Sequence, residues 1–298
     1  MRGVRLLLFI LMLGLPGFAC ANAKLLSVGC SAALFKMEGM SLDQKALILT
    51  AGHCVNRGSF KDPDPTGLVF PGPGEVLRDL PDVGQVAISG AGGKLVRYRV
   101  SRVVLATMTG MDAAILELDQ TYRAIIEKQT DAEIYELSPI TAWPGAPMRI
   151  ESTYWRRDFS CEVDKIVPTV KEDPWTWTGV VRFHLSPRCR LFGGVSGSPV
   201  LDQKHRIVAV ANTASDPGTP CGFETPCEIV DDGQPLVAPN GQSYATSTAR
   251  FYDCYSASRQ AFDFALPSCG LIPTSPPPAT VAGGTTAGET ATTTRSAI

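Results

Sequence analysis

Short apolar runs rich in Val, Ile, Thr and Tyr recur along most of the chain: Ala46–Thr50, Gln85–Ser89, Leu95–Leu105, Ala113–Leu118, Pro147–Tyr154, Gly179–Phe183 and Arg206–Thr213. Gly, Pro and Asp punctuate them, as in Lys61–Gly67 and Phe70–Gly74. Runs this short and this β-branched, bounded by turn residues, predict strands. Many of them at near-regular spacing, with few helical stretches between, predict an all-β barrel or sandwich. Ala257–Phe264 is expected to form a short C-terminal helix, and Thr121–Ala132 either a second helix or a loop. The sequence shows no internal repeat.

Both ends depart from this pattern. Arg2 and Arg5 precede an apolar stretch, Leu6–Leu15, which Pro16-Gly17 ends before the small residues of Phe18–Ala23. That is the layout of a secretory signal peptide over residues 1–23, with cleavage expected after Ala21 or Ala23, and the apolar stretch is too short to span a bilayer. Gly17 and Phe18 fit poorly before a lipid-anchored Cys20. From residue 272 to 298 the chain is rich in Thr, Pro and Gly and nearly free of apolar bulk. Such a segment buries too little surface to offset the entropy of ordering, so it is expected to be a disordered tail. One folded domain over residues 24–271 remains.

Composition narrows the function. Of 298 residues 44% are hydrophobic and 19% charged, and the formal net charge is −2. A chain of this balance builds a core and gives no electrostatic reason to bind nucleic acid. Nine cysteines are present, and removal of the signal takes Cys20 and leaves an even set. Eight cysteines in an exported chain predict up to four disulfides, and a secreted or periplasmic protein. No Cys-x-x-Cys pair occurs and His53, His184 and His205 are scattered, so neither a metal nor another cofactor is expected. His184 and His205 are expected to be surface or structural residues.

Three segments carry chemistry. Ala46-Leu-Ile-Leu-Thr-Ala-Gly-His-Cys54 is an apolar strand that delivers a histidine at its end. Asp112-Ala-Ala-Ile-Leu-Glu-Leu118 places an acid at the start of another. Gly193-Gly-Val-Ser-Gly-Ser-Pro-Val-Leu201 sets Ser196 among glycines, where the backbone turns tightly and presents its amides. A serine hydroxyl is a poor nucleophile until a base takes its proton, and histidine does this near neutral pH. A buried carboxylate fixes the imidazole tautomer, and backbone amides stabilise the oxyanion. An α/β-hydrolase is a poor match: Ser198 replaces the second Gly of the Gly-x-Ser-x-Gly elbow, and the order His, Asp, Ser is not that fold's.

Thr50-Ala-Gly-His-Cys54 resembles the histidine motif of the trypsin/chymotrypsin superfamily. Gly194-Val-Ser-Gly-Ser-Pro199 is similar to its serine motif, in the Ser-Pro form of bacterial glutamyl-endopeptidase-like members, and Asp112 resembles its acid. The resemblance implies two six-stranded antiparallel β-barrels with a cleft between them. It implies His53 as general base, Asp112 as its orienter and Ser196 as nucleophile. It also implies an oxyanion hole from the amides of Gly194 and Ser196, a Cys30–Cys54 bridge, and a protein or peptide substrate. A primary pocket follows near Arg190, Asn212 and Thr213, where a cation at Arg190 would favour acidic side chains. Proximity alone suggests Cys161–Cys189, Cys221–Cys227 and Cys254–Cys269. Val195 replaces the acid that, in mammalian trypsin-like enzymes, pairs with a new N-terminus, so activation by N-terminal insertion is not expected. The alternative is a binding protein on the same fold that no longer cleaves.

Overall fold

The computed structural model describes residues 23–26, 29–55, 70–81, 84–90, 93–230 and 233–271. The expected signal segment through residue 22, the turn segment 61–67 and the tail 272–298 lie outside the described residues.

The first half supplies β1 (Ala23–Leu25), β2 (Ser31–Lys36), β3 (Lys45–Thr50), β4 (Val76–Pro81), β5 (Gln85–Ser89), β6 (Leu95–Thr107), β7 (Ala113–Thr121), α1 (Tyr122–Lys128) and β8 (Tyr135–Glu136). β1 pairs with both β2 and β5, so β1-β5-β6-β7-β3-β2 closes into a six-stranded antiparallel barrel. β4 adds to β6, and β8 runs parallel to β2. The second half supplies β9 (Pro147–Ser152), β10 (Arg157–Glu172), β11 (Trp175–Phe183), β12 (Pro199–Leu201), β13 (Ile207–Ala214), β14 (Cys227–Ile229), β15 (Pro235–Val237) and β16 (Ser243–Ser247). Here β10 pairs with both β9 and β11, which closes β11-β16-β13-β12-β9-β10 into a second six-stranded barrel. Closure pairs each of the six strands of a barrel on both sides, while β4, β8 and β15 each pair on one side only.

The residue pattern explains the strands. In β3 and β7 the apolar run is nearly continuous and nearly all buried, with Ile48, Leu49, Ile115 and Leu116 in the first core. β10 alternates instead: Phe159, Cys161 and Val163 point inward while Ser160 and Glu162 face out, the period of a half-buried strand. α1 forms within the expected 121–132 segment. The Thr121 hydroxyl caps it by accepting a bond from the Ala124 amide at 3.2 Å.

The expected helix at Ala257–Phe264 is not formed. A 3₁₀ turn over Ala249–Cys254 leads into a small hairpin, β17 (Tyr255–Ser256) against β18 (Ala261–Phe262). Its tip needs a positive φ at Gln260 (48°), which a helix cannot supply. Phe262 packs edge-on against both Tyr255 and Phe251, so aromatic pairing across the hairpin replaces a helical face.

Four disulfides join Cys30–Cys54, Cys161–Cys189, Cys221–Cys227 and Cys254–Cys269 among the described residues. No helix among them is long and apolar enough to cross a membrane.

Candidate active site

The first barrel supplies a histidine and an acid. His53 sits in a 3₁₀ turn, Gly52–Cys54, directly after β3, and the Cys30 bridge ties this turn to the chain before β2. Asp112 stands one residue before β7 and is 1% exposed. Its Oδ1 accepts the backbone amide of His53 at 2.9 Å, and its Oδ2 lies 2.7 Å from Nδ1 of the ring. A carboxylate accepts hydrogen bonds only, so the imidazole Nδ1 carries the proton and Nε2 is the free base. The Asp112 amide donates to Thr246 Oγ1 of β16 at 3.3 Å, which ties the acid to the second barrel. Gly52 leaves no room for a side chain: a Cβ there would lie 1.9 Å from Thr107 O and 2.9 Å from Asp112 Oδ1.

The second barrel supplies the serine. Ser196 lies in the loop between β11 and β12, its hydroxyl 3.5 Å from the Asn212 carbonyl of β13. Gly194 (φ 89°) and Gly197 (φ 82°) flank it in the left-handed region, which glycine enters without steric cost. The Gly197 amide donates to Ala211 O at 2.8 Å, and the Ser31 amide donates to Ser196 O at 2.9 Å. The loop is thereby held from both barrels.

His53, Asp112 and Ser196 line one cleft. Its walls include Met108, Trp177 and Phe223, and Phe70 packs edge-on against His53 with centroids 6.1 Å apart. Burial pushes the His53 pKa down, but the charge and hydrogen bond of Asp112, joined by Glu172 and Glu224, outweigh it and leave the imidazole above its ordinary 6.5.

The expected pocket residues separate. Asn212 and Thr213 line the cleft. Arg190 does not: it is exposed on the surface beside Gly241. Cys189 is buried and bonded to Cys161 of β10, and Leu191 is buried with its amide on Ser243 Oγ at 3.0 Å. Alternation between these two anchors turns Arg190 outward. Val195 is 1% exposed and packs in the apolar core of the second barrel with Leu191 and Cys189. His184 and His205 are both largely exposed, beside Glu162 and Glu133 respectively.

The cleft also holds an acid that the motifs do not reveal. Glu172, the last residue of β10, is 2% exposed, accepting the Glu224 amide at 2.9 Å and the Thr213 hydroxyl at 2.8 Å. Burial pushes its carboxyl up to about 7, against the pull of those two bonds. With Asp112, Asp216 and Glu224 it makes the charged lining of the cleft acidic. The one sequence signal for Glu172 is its phase: it shares the buried face of β10 with Val170, where an apolar residue is the rule.

Two closed barrels with a His–Asp pair from one and a glycine-flanked serine from the other make this a chymotrypsin-like serine protease fold. Residues 37–210 match the model of the trypsin-like peptidase domain, and the chain belongs to that family. Among solved structures it is similar to the MamO protease domain from Magnetospirillum magneticum, at 13% identity and TM-score 0.43 over 78% of this chain and 93% of that one. It is similar to the inactive form of the Rv3671c protease, at 12% identity and TM-score 0.42 over 78% of this chain and 85% of that one. A glutamic acid-specific serine protease matches at 14% identity and TM-score 0.41, over 76% of this chain and 90% of that one. No curated protein matches the sequence.

Proposed function

We propose that the chain is an exported serine endopeptidase that works through an acyl-enzyme on Ser196. The observation that carries this reading is the His53–Asp112 pair at 2.7 Å, with a buried carboxylate, opening into the cleft that Ser196 lines. Asp112 holds the Nδ1 proton and leaves Nε2 to take the Ser196 proton. The hydroxyl oxygen then attacks the peptide carbonyl, and His53 passes the proton to the leaving amine. The amides of Gly194 and Ser196 stabilise the oxyanion, each such donor contributing roughly 3 kcal/mol. The acidic lining of the cleft, with Arg190 outside it, gives no support for an acidic side chain before the scissile bond.

The signal-like segment 1–23 and the four disulfides support the export part of this reading. Ala23 is already fully buried in β1, opposite Ala32 and Ile88. Cleavage after Ala21 keeps that pairing intact, so this is the favoured cut. Val195, buried among apolar side chains, offers no acid for a new N-terminal amine, so the mature chain works without a further cut.

One experiment tests these points together. The chain is recovered from outside the cytoplasm, its N-terminus is sequenced, and its hydrolysis of unfolded casein is followed against pH. The expected start lies at residues 22–24. Because His53 acts in its neutral form and its pKa is raised, activity should climb with pH along a limb centred above 6.5. Absence of hydrolysis at every pH by folded protein would overturn the peptidase reading. Activity that appears only after a cut deep in the domain would overturn the activation reading.

A further inference from the structure

Hydrogen bonds join three acidic residues of the cleft lining to one another. The Glu172 carboxylate accepts the Glu224 amide at 2.9 Å, and the Asp216 amide donates to the Glu224 carbonyl at 2.8 Å. The Cys221–Cys227 bridge closes the loop that carries Glu224, and the Thr225 hydroxyl fastens that loop to Asp216 O at 3.1 Å. The fold thus gathers like charges that repel one another. Among the described residues no Lys or Arg lines the cleft to offset them. Lys171, next to Glu172 in β10, pairs with Asp173 instead, at 3.1 Å.

Two independent observations point to a ligand here. Phe223, the neighbour of Glu224, lines the cleft and is 46% exposed. Its ring stacks on Phe70 at 5.5 Å, and Phe70 meets Trp175, the cross-strand partner of Glu172, at 5.8 Å. A ring face attracts a cation and also covers the aliphatic stem of a Lys or Arg. Asn212, 5% exposed, lines the cleft beside Thr213, and neither its Oδ1 nor its Nδ2 has a hydrogen-bond partner among the described residues. A buried amide without partners is costly, which favours a polar group entering beside it.

We propose that Glu172, Asp216, Glu224 and Phe223 recognise a lysine or arginine side chain of the substrate. The proposal rests on the peptidase reading and names its substrate class. Asp216 and Glu224 are exposed and attract the cation from solvent, while Glu172 is buried, where water screens its charge least. Burial pushes the Glu172 carboxyl up to about 7; Asp112 adds to that push, and His53 opposes it. A bound cation favours the ionised carboxylate and so offsets the cost of its burial. Leu191, Phe192, Gly193 and Val195, the lining residues just before Ser196, are uncharged, so the charge selectivity comes from the end of β10 and the loop after β13.

A positional scan tests this without assuming how the substrate lies. A short peptide spanning a bond that the protein cleaves in casein is varied one position at a time, with lysine or with norleucine, which has an apolar side chain of similar length. At one position or more, lysine should raise kcat/KM about tenfold over norleucine. Both peptides depend equally on His53, so their ratio removes its titration. That ratio should rise as pH climbs through about 7, where Glu172 ionises. Glu172→Gln should bring it to about twofold and flatten its pH dependence. If Glu172→Gln fails to fold, Glu224→Gln, at an exposed position, should lower the ratio about threefold. A ratio below about twofold at every position would overturn the proposal, as would a ratio unmoved in the folded variants. Failure to cleave casein at any pH would overturn the peptidase reading, and the proposal with it.

Discussion

Asp112→Asn should lower kcat/KM by about 10⁴-fold and leave the fold intact. The reason is a proton count. Asp112 accepts two hydrogen bonds, one from the His53 amide on Oδ1 and one from the ring on Oδ2. Asparagine has the same shape but one acceptor and one donor group. The backbone amide of His53 cannot become an acceptor, so the amide oxygen of the new side chain stays on it. The NH₂ group then faces Nδ1, which must give up its proton to Nε2. The ring nitrogen that should take the serine proton now carries one of its own. Steady-state peptide hydrolysis measures the loss, and the thermal midpoint shows that the barrels survive. A drop of less than about tenfold would contradict the role given to Asp112.

Gly197→Ala should cost at least about 4 kcal/mol of stability, beyond the usual range for a single substitution. Gly197 has φ 82°, where a Cβ alone costs roughly 1–2 kcal/mol. Here the Cβ would lie 2.1 Å from the Ser31 carbonyl oxygen and 2.2 Å from Thr50 Oγ1. Neither neighbour is free to yield. Thr50 Oγ1 donates to Ser31 O at 2.9 Å, and the Ser31 amide donates to the Ser196 carbonyl one residue away. Relief of the clash must break bonds that join the serine loop to the first barrel. Urea unfolding with the disulfides intact reads the loss. A change below about 1 kcal/mol would mean the two barrels meet less tightly at this seam than the structure indicates.

The sequence discloses what depends on local residue types and conceals what depends on distant packing. β3 and β7 stand out because their apolar runs lie in the barrel interior along nearly their whole length. β10, the longest strand, passes unnoticed because Asp158, Glu162, Asp164 and Lys165 interrupt its apolar positions. Its strand character shows in the ladders it forms with β9 and β11. The helix expected at Ala257–Phe264 gives way to the hairpin, where Phe262 pairs with Tyr255 across it and Phe264 stacks on Phe262.

The site divides in the same way. His53 and Ser196 lie in compact motifs where Gly, Thr and Cys neighbours serve the same turn. Glu172 reaches the cleft from the end of β10, far from Ser196 in sequence, so nothing near Ser196 announces it. Arg190 is the converse case. Its separation from Ser196 suits a pocket floor, but the Cys161–Cys189 bridge sets the phase of the segment and turns its side chain to solvent.

The central claim is that Ser196 is an activated nucleophile, and labelling with a fluorophosphonate probe tests it most directly. The probe bonds covalently to a serine oxygen only when a neighbouring base removes its proton. Folded wild-type protein should take up one probe per chain, found on Ser196 by peptide mass mapping, and folded Ser196→Ala should take up none. No labelling of folded wild type, or equal labelling of both proteins, would contradict the account.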